Sequence, residues 1–79
     1  MKTPRDLSGV ELADALCRLW GYSRVHQEGS HIVLETRVPV HHRIAVPAHA
    51  ALKIGTLHSI LKAVAIKKGV SRDAIVRTL

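Results

Sequence analysis

Phenylalanine is absent from this chain of 79 residues, and Trp20 and Tyr22 are its only tryptophan and tyrosine. Proteins that hold single strands by base stacking need exposed rings. Recognition of any nucleic acid bound here is therefore expected to be mainly of backbone and shape. Cys17 is the single cysteine, which excludes an internal disulfide and fits a reducing compartment. It falls inside a helical apolar pattern and reads as a core residue. No apolar run approaches the ~18 residues of a membrane span, and the N-terminus lacks an apolar leader core. The expectation is a cytoplasmic protein. Acidic residues are scarce: six Asp and Glu face twelve Lys and Arg, for a net charge of +6. A field of that sign draws polyanions or an acidic protein.

The apolar fraction of 47% is that of an ordinary globular domain, and residues 1–79 read as one. A chain this short buries only about 60–65% of its unfolded surface, so its core is thin.

Ser8-Gly9-Val10-Glu11 spells a capping box, with Leu7 and Leu12 placed as a hydrophobic staple. Leu12, Leu16 and Leu19 follow at helical spacing, and Gly21 suits the position after a helix end. A first helix is expected over Ser8–Trp20. Tyr22–Glu28 reads as a strand, Gly29-Ser30 as a turn, and the β-branched run His31–Arg37 as the clearest strand. On that strand Ile32 and Leu34 share one face; His31, Val33 and Glu35 share the other. Arg43–Val46 is a short third strand ended by Pro47. Thr56 is the expected cap of a second helix whose stripe is Leu57, Ile60, Leu61 and Val64. Lys67, Lys68 and Gly69 suit its end, and Ser71 caps a last short helix with Ala74, Ile75 and Leu79. The order is α-β-β-β-α with a short extra C-terminal helix. The expected fold is α+β: a two-layer sandwich of a three-stranded antiparallel sheet with helices on one face.

The ordered set Gly21-Tyr22, Gly29-Ser30-His31, Val46-Pro47-Ala48-His49, Gly55-Thr56-Leu57 and Ile60-Leu61-Lys62 resembles the HicA toxin family, from about Leu7 to the C-terminus. The resemblance implies a fold like that of double-stranded-RNA-binding domains. It also implies an mRNA interferase, the RNA-cleaving toxin of a type II toxin–antitoxin pair, blocked by a HicB antitoxin. The catalytic histidine of the family's G-S-H motif falls on His31. Three features depart from the family pattern. His26 stands where many relatives carry Arg, Ala63–Lys68 is about one helical turn longer, and Pro39–His42 lacks the common polar turn.

Histidine can give and take a proton near neutral pH. RNA can be cut without a metal when a base takes the ribose 2′-OH proton and an acid protonates the departing 5′ oxygen. His31 is the candidate for that proton transfer. Gly29 lets a phosphate approach the backbone, and Ser30 can donate to its oxygens; the pair serves a plain hairpin turn equally well. His26 and His49 are candidate RNA contacts, His49 also as a second proton carrier. Arg24, Lys53 and Lys62 are candidate phosphate contacts, with Arg37, Lys67 and Lys68 behind them. Glu35 lies ~13 Å from His31 at strand rise and reads as a surface charge. His58, off the apolar stripe, reads as exposed. His41 and His42 are adjacent and point to opposite faces, so no metal site and no cofactor are expected.

The leading expectation is a metal-independent mRNA endoribonuclease that pairs with a HicB-type antitoxin. The alternative is a non-catalytic RNA-binding module of the same fold. A protein devoted to heterodimer formation is the third reading, and a helix-turn-helix DNA binder is disfavoured by the three intervening strands.

Overall fold

A computed structural model describes residues 6–79; the first residues, on which the reading of the N-terminus partly rests, lie outside it. The element order is α1 (Gly9–Leu19), β1 (Ser23–Glu28), β2 (His31–Thr36), β3 (His42–Pro47), α2 (Ile54–Lys68) and α3 (Arg72–Val76). The strands form one antiparallel sheet in the order β1-β2-β3. This is the expected α+β arrangement with its extra C-terminal helix.

The local signals act as their chemistry dictates. The Ser8 hydroxyl accepts from the Glu11 amide at 3.0 Å, and the Glu11 carboxylate accepts from the Ser8 amide at 3.0 Å. That satisfies two of the amides a helix start leaves open. Gly69 ends α2 in the left-handed region at φ +66°, and the Ser71 hydroxyl caps α3 by accepting from the Ala74 amide. The second helix departs from expectation. It begins at Ile54, with Lys53 as its cap residue and Thr56 already inside the first turn. Buried Leu52, whose amide donates to the Leu7 carbonyl at 2.8 Å, anchors the chain just before it. That tertiary anchor outweighs the poor helix propensity of Gly55.

Ile32 and Leu34 of β2 and Val46 of β3 are buried in one cluster with Leu12 and Leu16 of α1 and Leu61 of α2. Burying each such side chain contributes roughly 1.5–3 kcal/mol. The helices thus cover one face of the sheet. Cys17 is a free thiol, half-buried at the margin of this cluster. The other face carries His31, Val33 and Glu35, as the alternation requires.

β1 contributes no buried residue and joins the fold through its pairing with β2. A bulge interrupts that pairing: Arg24 faces Leu34, and the next partner of β2 is His26, which faces Val33. The extra residue, Val25, reverses the alternation of β1. Arg24 is left on the helix side, while His26 and Glu28 join His31 on the open face.

Candidate nucleic-acid interface and catalytic rim

Gly29 and Ser30 form a two-residue hairpin, with Gly29 at φ +56° in the first central position. That is the conformation a type II′ turn asks of glycine. A two-residue loop makes its flanking residues partners, so Glu28 stands opposite His31. On the other side His31 pairs with Pro47, and the Ala48 amide donates to the Ser30 carbonyl at 2.6 Å. The Gly29-Ser30-His31 turn and the Val46-Pro47-Ala48-His49 segment are therefore one structural unit. His31 is exposed at its lip.

Around His31 the structure gathers part of the expected set. Gly29, Ser30 and His49 lie at the same rim, all exposed. His26 lies on the same face, and its Nε2–H donates to the Glu28 carboxylate at 3.1 Å. Both long helices begin at this rim: the Gly9 amide donates to the His49 carbonyl at 3.0 Å, and Lys53 opens α2 with no acidic residue in its first turn. Lys53 is exposed there. Two expected contacts are elsewhere. Arg24 is ion-paired to Asp14 of α1 at 2.5 Å on the helix side, and Lys62 is exposed on α2, across the sheet from the face of His31.

Glu28 is the rim residue that sequence reasoning passed over. The signal was present: if Gly29-Ser30 is a two-residue turn, residues 28 and 31 must face each other. Its carboxylate accepts from the His26 imidazole, and its backbone pairs with His31.

The far end of β2 differs from expectation. The Glu35 side chain is only 13% exposed, although no helix covers its face. His41 Nε2–H donates to it at 2.7 Å and Arg43 at 3.3 Å, while Arg37 stands 3.8 Å away. The His41 hydrogen bond holds the Glu35 carboxyl below the usual range, and the charges of Arg43 and Arg37 add to it against the opposing effect of burial. Glu35 is the centre of a cationic cluster, not a solvated surface charge. His58, expected exposed, is half-buried and accepts from the Arg72 guanidinium at 3.2 Å. His41 and His42 do diverge to opposite faces. Among the described residues no cluster of His, Cys, Asp and Glu could hold a metal ion.

His42 instead joins a polar cluster where the sheet meets the end of α2. Its Nδ1 lies 2.8 Å from the Tyr22 hydroxyl, whose pKa burial pushes up to about 12. Lys68 donates to the Thr36 hydroxyl at 2.8 Å and the Val38 carbonyl at 2.5 Å, with its ammonium 4.9 Å from the Tyr22 ring centroid. Lys68 is thereby occupied as a structural clamp and withdrawn from the expected phosphate contacts. Burial, and then the charges of Lys67, Lys68 and His41, push the His42 pKa below its ordinary 6.5. The unfolded chain therefore binds more protons than the folded one between the depressed value and 6.5. The stabilising contribution is complete above that window and is lost as pH falls through the folded-state value. Thermal unfolding followed from pH 5 to 7 should show a midpoint that rises with pH, and His42→Gln should flatten the rise. An unchanged slope in that variant would assign the effect to another group.

No family model, curated protein or solved structure matches this chain. Among the described residues no helix is long and apolar enough to cross a membrane.

Proposed function

We propose that this chain is a metal-independent endoribonuclease of the HicA type, an mRNA-cleaving toxin restrained in the cytoplasm by a HicB-type antitoxin. The observation that carries the reading is His31: exposed, first in β2, and joined to the Gly29-Ser30 turn and the Pro47-Ala48-His49 segment by strand pairing and a backbone hydrogen bond. A net charge of +6 brings a polyanion to that lip.

Gly29 leaves the backbone open to a phosphate, since a Cβ there would meet nothing within 4 Å and glycine alone takes its φ without strain. Ser30 offers its hydroxyl and amide to the non-bridging oxygens. His31 takes the proton of the ribose 2′-OH as that oxygen attacks phosphorus. The P–O5′ bond breaks, and the 5′ oxygen leaves as an alcohol with a proton from a second group, for which His26 and His49 are the nearest imidazoles in the sheet register and connecting loop. The products are a 2′,3′-cyclic phosphate and a 5′-hydroxyl.

The test is a cleavage assay on RNA with one strand of each pair carrying 2′-deoxyribose at the cleaved nucleotide. Cleavage of the all-ribose strand, undiminished by a chelator and lost on 2′-deoxy substitution, is the expected result. Cutting of the 2′-deoxy strand would reject nucleophilic attack by the ribose. Tight binding without cutting of either strand would favour a non-catalytic RNA-binding module.

A further inference from the structure

The open face of the sheet ends, opposite the rim, in more positive charge than its one carboxylate needs. Arg37, His41 and Arg43 converge on Glu35, at 3.8, 2.7 and 3.3 Å. One carboxylate is neutralised by one cation, so the cluster keeps at least one net positive charge. The three side chains are themselves exposed. Arg37 is the most loosely held, and it is 82% exposed. Glu35, itself 13% exposed, gathers the two guanidinium groups and the imidazole into one patch.

Glu35, on which the patch converges, shares a face and a strand with His31. The separation along β2, from position 31 to 35, is ~13 Å at strand rise. Between the two lie Val33 and Ala45 with His26 beside them, low in profile and without an aromatic platform. Among the described residues the large exposed apolar side chains of the sheet and its connecting loop are scattered, Val25 on β1 and Val38 and Val40 between β2 and β3, with none from β2 or β3. A protein interface is built around a buried apolar centre, which this face lacks. A phosphate backbone needs only spaced cations, and arginine matches phosphate in two-pronged geometry.

We propose that the Arg37–His41–Arg43 cluster is a distal phosphate subsite, and that the RNA strand runs along the open face of β2 between it and His31. This rests on the ribonuclease reading for its substrate, and adds a binding track on the sheet face away from the helices. Glu35 is a positioning residue: it aims the cations and is displaced from none of them when a phosphate joins the cluster from the solvent side. Arg24 and Lys62, on the helix layer, take no part.

The experiment measures binding of a mixed-sequence single-stranded RNA oligonucleotide to the His31→Ala chain across a salt series, so that binding is read without cutting. Adding Arg37→Gln and Arg43→Gln together should weaken binding roughly tenfold and lower the salt slope by about 1.4, at ~0.7 for each phosphate contact on a single strand. Arg18→Gln with Arg77→Gln, which removes the same charge from exposed positions of the helix layer, should leave the slope nearly unchanged. Thermal unfolding of each variant reports whether the fold is kept. Equal effects from the two pairs would overturn the subsite and leave only a diffuse field. So would loss of binding to polyglutamate without loss of binding to RNA, which would assign the patch to an acidic protein. The catalytic reading is judged separately: if the chain with His31 intact cuts no RNA while the arginine pair still controls binding, the subsite stands and the nuclease reading falls.

Discussion

His31→Ala is expected to lower the rate of RNA cleavage by ~10²–10⁴-fold, the range that one well-placed general acid or base supplies. At 1.36 kcal/mol per tenfold, this is roughly 3–5 kcal/mol of transition-state stabilisation. The fold should survive the change. His31 is exposed, and substitutions at such positions usually shift stability by no more than about 0.5 kcal/mol. RNA binding should also persist, because the +6 field and the cations of the open face are untouched. In cells, inducing the unaltered chain should arrest growth and fragment transcripts, and inducing His31→Ala should do neither. Equal arrest by the two chains would remove His31 from the mechanism. Arrest by neither chain, with RNA binding retained by both, would leave a binding module.

The largest expected effect on stability comes from a glycine that no motif singles out. Gly9 starts α1 buried against the end of β3, where a built Cβ would overlap the Pro47 carbonyl oxygen and approach Ala48 Cα at 3.0 Å. The obstacle is backbone, so no side chain can rotate out of the way. Gly9→Ala should cost roughly 3 kcal/mol, the upper end for overpacking, against a total of about 4–12 kcal/mol for a domain of this size. The corresponding fall in the unfolding midpoint is on the order of 15 °C. Helix propensity alone argues the opposite, since alanine gains up to about 1 kcal/mol over glycine. Gly55, in the first turn of α2, shows that other case: a Cβ there meets nothing within 4 Å. Gly55→Ala should therefore stabilise by about 0.4–1 kcal/mol. Two glycines near helix starts thus move stability in opposite directions, and a denaturant titration of both variants checks the pair. A stabilised Gly9→Ala chain would show that α1 does not press on the β3 end. Because the Gly9 amide also holds the His49 carbonyl at 3.0 Å, Gly9→Ala should in addition disturb the loop that abuts the Ser30 turn.

The residues that could be read in advance are those whose structural task is local. Ser8 and Glu11 are three positions apart and bond to each other, so their chemistry is complete within one helical turn. The stripe Leu57, Ile60, Leu61 and Val64 is buried as its spacing requires, and Ile32 and Leu34 face the core while His31 faces out. The hairpin at Gly29-Ser30 is equally local, and with it the exposure of His31. Each of these depends on dihedral preference and periodicity, which a few neighbouring residues specify.

The residues that could not be read take their roles from groups distant along the chain. Arg24 looks like a free cation until the bulge at Val25 turns it toward Asp14. Glu35 looks like a lone surface charge until the β2–β3 register brings Arg43, and the returning loop His41, onto its oxygens. Lys68 looks like a phosphate contact until α2 lays its last turn against Thr36 and Val38. The start of α2 at Ile54 follows from Leu52 and Leu7, which meet only after α1 has docked. Composition and spacing thus dictate which elements exist and which face of each is apolar, because those preferences are short-range. Which charges are spent within the fold and which stay available for a ligand is settled by register, one bulged residue and helix docking, because an ion pair forms between whichever groups the folded chain brings within about 4 Å.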